Sequence, residues 1–164
     1  MDHSARSRKP SLHGQALVEF ALVMPVLILI MIALFDLGRG VFAFNEISNA
    51  AREGGRTAIV NQNGTDIVNR AVAQATSLGI STSATCVGGV PSGSSGVCAS
   101  FYYPDLITDC SSTLAPGCVA VVTVKYTYQA ITPLIGNIVG QIPMTSTTKQ
   151  TIESVCTGSP CPIP

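Results

Sequence analysis

A single carboxylate, Glu19, lies inside an apolar run near the start of the sequence. The twenty residues from Ala16 to Phe35 carry no other charge. As a helix that rises about 1.5 Å per residue they cover roughly 30 Å, which is the thickness of a bilayer core. A carboxylate in such a segment costs about 2.5 to 3.5 kcal/mol at mid-membrane and less near its end. Glu19 therefore either reaches headgroups and water from one turn inside the interface or requires a compensating partner.

Side chains suited to catalysis or metal binding are scarce. Both histidines, His3 and His13, lie in the basic N-terminal stretch, and no CxxC motif occurs, so we expect no zinc site. Two acidic residues, Asp105 and Asp109, lie in a loop that we expect disulfides to constrain. No phosphate-binding glycine motif is present. We therefore predict no enzymatic activity, no cofactor and no metal.

All six cysteines follow the apolar run, which indicates an oxidising compartment and a disulfide framework. Six cysteines allow many connectivities, and the sequence does not decide among them. Short separations along the sequence favour three local pairs, which are Cys86–Cys98, Cys110–Cys118 and Cys156–Cys161.

The distribution of charge predicts an orientation. Arg6, Arg8 and Lys9 precede the apolar run, and positive residues that flank a span stay on the cytoplasmic side. We therefore expect a single-pass protein of the cytoplasmic membrane, with its N-terminus inside and the residues after about Arg39 outside. Charged residues make up 11% of the chain and balance to zero, so a nucleic-acid partner is not expected.

Two other interpretations of the apolar run are weaker. A buried helix of a soluble protein is disfavoured because nothing downstream is apolar enough to surround it. A secretory signal peptide cut near Ala43 is disfavoured because the apolar core exceeds the usual length of about 7 to 15 residues. Within the span, Pro25 removes one backbone hydrogen bond and should bend the helix.

Helical spacing continues beyond the apolar run. Apolar and small residues recur every three or four positions from Phe44 to Ala58, which extends the helix to about Val60. Gly54 and Gly55 each cost roughly 1 kcal/mol in a helix interior relative to alanine. Their small size lets another element approach the helix backbone closely.

A second helix is predicted over residues 65–78, with Thr65 as its cap and Gly79 as its end. The composition then changes to Gly, Ser, Thr, Pro and Cys over residues 80–118. The sequence GGVPSGSSG in this region is too flexible to form part of the core.

Alternation of side chains predicts the strands. Residues 97–103 form one strand, and residues 118–130 and 144–154 form two more, which pair antiparallel. The segment between the last two, bracketed by Pro133 and Pro143, is a short helix or an apolar loop.

The sequence around Glu19 resembles a known processing site. GQALVEF, which starts at Gly14 and ends at Phe20, resembles the site of type IV pilins and pseudopilins at which a membrane peptidase cuts after the glycine. The wider stretch to about residue 60 is similar to TadE, the minor pilin or pseudopilin family of the Flp (Tad) pilus system. The family's later proline corresponds to Pro25, and its AAREGxR-type segment to Ala50–Arg56. A shorter likeness covers YTYQAITPLIGNIVGQIPMTSTTKQTIES, whereas residues 80–118 resemble no family.

This resemblance implies a role for Glu19 and its neighbours. A prepilin peptidase would cut between Gly14 and Gln15 and leave a cationic amine at the membrane boundary. Glu19, followed by Phe20, would take part in processing or would neutralise the amine of a neighbouring subunit during assembly. The expected partners are the membrane, the peptidase, and other pilin subunits with the Tad assembly machinery.

The segment that closes the helix has two interpretations. Arg52, Glu53 and Arg56 either form a solvated helix face with an ion pair between positions 53 and 56, or contact a subunit or platform just outside the membrane. The pilin resemblance favours the second interpretation but does not locate the contact.

We predict an α+β, pilin-like fold with a long N-terminal helix, transmembrane in its first half, followed by a short helix and a small antiparallel sheet. The expected parts are a cleaved leader (1–14), a transmembrane helix (15–37), its extracytoplasmic continuation (38–60), an α+β domain (61–155) that includes the Cys/Gly/Ser-rich insertion, and a tail (156–164). The predicted function is that of a TadE-like minor pilin in Flp/Tad pilus assembly. The alternative is a single-pass, membrane-anchored module for extracytoplasmic binding or adhesion.

Overall fold

The computed structural model describes residues 12–132, 136–137 and 140–156. The α+β class with a long N-terminal helix, a short helix and a small antiparallel sheet is confirmed. Helix α1 spans Leu12–Val60 and is roughly 70 Å long. It continues through Pro25 and ends where the spacing of small residues predicts. One element therefore reaches from the apolar run to the far end of the folded domain.

Helix α2 spans Gly64–Gln74 and is followed by a short 3₁₀ turn, Thr76–Leu78. The predicted cap, Thr65, is wrong because the capping residue is Asn63, whose side-chain oxygen accepts a hydrogen bond from the Thr65 amide at 3.0 Å. Asparagine satisfies one of the free N–H groups of the first turn in the same way that threonine would. Gly79 ends the turn in the left-handed conformation, as expected.

The strands of the described residues form two separate sheets. A small hairpin pairs β1 (Cys86–Val87) with β2 (Val90–Pro91), and a three-stranded antiparallel sheet has the order β3-β4-β5. The three strands of that sheet match the predicted ones within three residues at each end, and they are Ser95–Tyr102, Val119–Gln129 and Gln141–Thr151.

The β1–β2 hairpin corrects the expectation that residues 88–96 lie outside the core. Gly88 and Gly89 both adopt positive φ, which a tight two-residue hairpin turn requires. Pro91 of this hairpin is fully buried. The Cβ that an alanine would add at Gly96 would lie 2.3 Å from the Ala84 Cβ, so the segment before the hairpin packs directly on β3.

The connection between β4 and β5 also differs in part from the prediction. Pro143 does not bracket a loop but lies within β5, opposite Thr127. Proline is tolerated there because β5 is an edge strand, and an edge strand has one side without a ladder partner. Bonds of helical spacing join Gly136 to Thr132 and Gly140 to Gly136. Pro133 lies outside the described residues.

Two disulfides constrain the region between α2 and β4. Cys86 is bonded to Cys98, and Cys110 to Cys118, which are the local pairs that short separations favour. Cys156 is also disulfide-bonded. Its expected partner, Cys161, lies outside the described residues, so that pairing stays a prediction.

The core forms where the upper half of α1 meets α2 and the sheet. Small side chains face inward from both helices, and β-branched side chains face them from β3 and β4. The fully buried members include Ile47, Ala50, Ala51, Ala58, Ile67, Ala71, Val97, Val122 and Val124.

The close approach of these elements depends on two helical glycines. A Cβ added at Gly54 would lie 2.9 Å from the Val122 Cγ1 and 3.2 Å from the Ala71 Cβ. A Cβ added at Gly55 would lie 2.8 Å from the Thr148 Cγ2. Both glycines therefore occupy positions where a methyl group would force β4, β5 or α2 away from the helix.

Gly54→Ala should destabilise the domain. Overpacking costs about 1 to 3 kcal/mol, and the better helix propensity of alanine returns up to about 1 kcal/mol. We expect a net loss of about 1 to 2 kcal/mol in the free energy of unfolding. This change is measured by urea titration of the full chain in micelles, with the near-ultraviolet circular dichroism of the tyrosines as the signal for unfolding.

The matched control is Gly38→Ala, because nothing lies within 4 Å of the Cβ that alanine would add in the same helix. This variant should unfold at the same urea concentration as the native chain or at a higher one. Equal stabilities of the two variants would contradict the packing role of Gly54.

Candidate functional site

The first part of α1, residues 14–35, supplies no residue to the described core, and we call it the unpacked segment. Every side chain in it is exposed. Among the described residues, α1 is the one helix long and apolar enough to cross a membrane, and none of its most apolar window is buried within the chain. Apolar surface exposed to water costs about 25 cal/mol per Å². The unpacked segment therefore needs lipid or other helices around it, which fits membrane anchoring.

Glu19 is the one charged residue of the unpacked segment. Its side chain is exposed, and no hydrogen bond or ion pair joins it to another described residue. Phe20 beside it is also exposed. At the start of the segment, Gly14 and Gln15 are exposed, and nothing lies within 4 Å of the Cβ position of Gly14.

The AREGGR segment of α1 has two distinct faces. Gly54 and Gly55 face α2 and the sheet, as described above. Arg52 and Arg56 are exposed on the opposite side. Arg56 lies 3.8 Å from the carboxylate of Glu53, which is the ion pair that the spacing predicts. The glycines of this segment thus build the fold, and its arginines remain available to solvent or to a partner.

The two groups of predicted site residues do not come together. Glu19 and Arg52 are 33 positions apart on one continuous helix, which separates them by roughly 50 Å. Any contact made by Glu19 is therefore at one end of the unpacked segment, and any contact made by Arg52 or Arg56 is well outside the apolar run.

The structure identifies a further acidic residue, Asp36, at the junction of the unpacked segment and the domain. Its side chain is buried, with 7% of its surface exposed. It accepts hydrogen bonds from the backbone amides of Ile131 (3.4 Å) and Thr132 (3.3 Å), and from the Thr132 hydroxyl. The Tyr128 hydroxyl donates to the main-chain oxygen of Asp36 at 2.8 Å. Together these bonds join the end of β4 to α1.

The sequence alone does not mark Asp36 as a functional residue, because it lies one residue beyond the apolar run, where a charge costs little. The sequence does place Asp36 three residues before Arg39, a spacing that allows an ion pair on one helix face. In the structure the Arg39 guanidinium lies 4.0 Å from the Asp36 carboxylate. An acid directly after an apolar run, three residues before a base, is typical of a helix face that packs or pairs. Its partners on the β4–β5 connection are about 95 residues away in sequence, so local spacing does not reveal them.

The acidic residues of the β3–β4 loop serve as acceptors in local turns. Asp105 accepts hydrogen bonds from the Ile107 amide and from the amide and hydroxyl of Thr108, which hold the pKa of its carboxyl below the usual value. Asp109 accepts from the amide and hydroxyl of Ser111. Within the part of the chain that the structure describes, no three His, Cys, Asp or Glu residues are placed to hold a metal ion.

Comparison with known families agrees with the N-terminal resemblance. Residues 14–56 match the family model TadE, described as TadE-like protein. The match starts at Gly14 and ends at Arg56, so it covers the unpacked segment and most of the part of α1 that packs in the core. The TadE-like family is associated with the Tad pilus and is not known to be enzymatic. No curated protein and no solved structure matches the chain significantly.

Asp36→Ala should destabilise the junction. It removes the acceptor of three hydrogen bonds, and bonds to a charged group contribute about 1.5 to 3 kcal/mol each, with losses that do not add fully. We expect the free energy of unfolding to fall by about 2 to 3 kcal/mol, measured by urea titration in micelles with tyrosine circular dichroism.

The matched control is Asp105→Ala, which removes the same donor set, two amides and a threonine hydroxyl, from an exposed turn. The free energy of unfolding of this control should fall by less than about 1 kcal/mol, because water replaces the lost hydrogen bonds. A cost for Asp36→Ala no larger than that of the control would contradict the junction.

Proposed function

We propose that this chain, whose residues 14–56 match the TadE-like family, is a minor pilin or pseudopilin that takes part in assembly of a Flp/Tad pilus. A prepilin peptidase cuts it after Gly14, and residues 15–37 anchor it in the cytoplasmic membrane. The observation that carries the proposal is the unpacked segment: a fully exposed apolar helix with one carboxylate that has no partner among the described residues.

Cleavage between Gly14 and Gln15 supplies the charge that Glu19 lacks. The new amine is cationic and lies at the boundary of the apolar run, where opposite charges attract far more strongly than in water. Glu19 of one subunit neutralises the amine of a neighbour and sets the axial register of the packed helices. The unpacked apolar surface, which lipid covers before assembly, becomes the contact between subunits.

The folded domain remains on the outer side of the membrane, as the basic residues before the run indicate. Arg52 and Arg56 are exposed on the face of α1 opposite the core. Their position outside the apolar run suits a contact with a neighbouring subunit or with the assembly platform. The disulfides are compatible with an oxidising compartment on that side.

Glu19→Ala tests the pairing. In cells that contain the rest of the Tad system, we expect the variant to insert and to be cut after Gly14, but its amount in the sheared pilus fraction should fall at least about tenfold, since an unpaired buried charge is costly. The measurement is quantitative immunoblotting of the sheared and membrane fractions.

Glu153→Ala is the matched control, because it removes an exposed carboxylate from the far end of the domain. This variant should enter the sheared fraction like the native chain. Normal incorporation of Glu19→Ala would exclude the pairing. If the native chain is not found in pili and pili assemble without it, the pilin function is excluded.

A further inference from the structure

The junction at Asp36 fixes the level of the domain relative to the apolar run. Asp36 directly follows the last residue of that run, Phe35, and it holds the amides of Ile131 and Thr132 within 3.4 Å. When the run spans a bilayer, Asp36 lies at the boundary between the hydrocarbon and the headgroups. The end of β4 and the start of the β4–β5 connection are bonded to it and must lie at that same level, and β5 begins beside them because Gln141 pairs with Gln129.

The side chains at this level are apolar and exposed. Ile131 is 71% exposed and Ile142 39% exposed, although both belong to a folded domain. On α1, Leu37 is exposed directly after Asp36, and Val41 and Phe44 are exposed about one and two turns further from the apolar run. We call these five residues the membrane-proximal surface. Exposed apolar patches on a folded domain mark a contact with a partner or a membrane.

A groove in this surface continues the unpacked segment. It has a volume of about 470 Å³ and lies between α1 and the ends of β4 and β5. Its walls are almost entirely apolar and include Ala33, Leu37, Val41, Ile142 and Met144. Because Ala33 belongs to the unpacked segment, the groove opens onto the same surface that lipid covers in the membrane.

A positive charge lies at the edge of this surface. Arg39 is one turn beyond Asp36 on α1, and its side chain is 52% exposed. An arginine at this level places its apolar stem along the hydrocarbon boundary and its guanidinium among the phosphates of the headgroups. An apolar surface with a cation at its outer edge suits the interfacial layer of a phospholipid bilayer.

We propose that the membrane-proximal surface is a lipid-binding surface, in which phospholipid acyl chains occupy the groove and Arg39 contacts their phosphates. The domain then rests on the bilayer with the β4–β5 end inserted into the interfacial layer. A second copy of the chain is the competing occupant. Lipid is favoured because the groove is continuous with the span and lies at the level where lipid surrounds a membrane-resident chain. This binding does not require cleavage after Gly14 or pilus assembly.

Tryptophan fluorescence tests the proposal, because the chain contains no tryptophan. Ile131→Trp and Ile142→Trp each introduce one reporter in the full chain, which is reconstituted into phosphatidylcholine vesicles with brominated acyl chains. Both reporters should lose most of their emission, and bromines near the headgroup should quench them more than bromines near the chain end. Two reporter positions are used so that the second still tests the proposal if one substitution disturbs the fold.

Ile107→Trp is the matched control. Ile107 is 83% exposed, so the substitution is chemically equivalent, but it lies in the loop at the opposite end of β4. It should keep its emission in brominated vesicles. Leu29→Trp, in the unpacked segment, should be quenched most strongly by bromines near the chain end and so verifies insertion.

Three results would overturn the proposal. If Ile131→Trp and Ile142→Trp are quenched no more than Ile107→Trp, the surface does not contact lipid. A blue shift of both reporters that depends on the protein-to-lipid ratio, without quenching, would assign the surface to a second copy instead. If Leu29→Trp is not quenched, the apolar run does not span the bilayer, and the level assigned to the membrane-proximal surface is wrong.

Discussion

The contact of the α1 backbone with the sheet and α2 determines the rest of the structure. Gly54 and Gly55 lie where a methyl group would come within 3 Å of side chains on β4 and β5. Because no side chain intervenes, the upper half of α1 becomes the central element of the domain core. Glycine is unfavourable in a helix interior by about 1 kcal/mol relative to alanine, so these residues make sense only through the packing that they permit.

The same contact explains why the rest of α1 is free. The domain packs against one side of the helix from Asp36 onward, whereas every residue from 14 to 35 is exposed in the structure as described. Since α1 is a single helix from Leu12 to Val60, the two halves form one continuous element. The bonds from Ile131 and Thr132 to Asp36 close the domain at the point where the apolar run ends. The boundary between the folded core and the apolar surface is therefore set by a few polar contacts.

Features encoded by local periodicity could be predicted from the sequence, and features that depend on distant partners could not. The helical spacing of small residues fixed the end of α1, and strict alternation located β4. The contacts of Asp36 are not predictable from local sequence because its partners lie on the β4–β5 connection, about 95 residues away. The place of Pro143 within β5 is not predictable either, because proline is tolerated there only if β5 is an edge strand, which is a property of the whole sheet. The roles proposed for Glu19 and the arginines of α1 involve other molecules, so the contacts within a single chain do not define them.

The central claim is that the unpacked segment is the assembly element of a processed pilin, and the mature N-terminus tests it most directly. Mass spectrometry of the chain expressed with a prepilin peptidase should give Gln15 as the first residue, whereas an inactive peptidase should leave the leader attached. An intact leader in the presence of active peptidase would contradict the account. Cleavage near Ala43 would also contradict the account. Ala43 is buried within α1, so a cut there would separate the membrane helix from the domain.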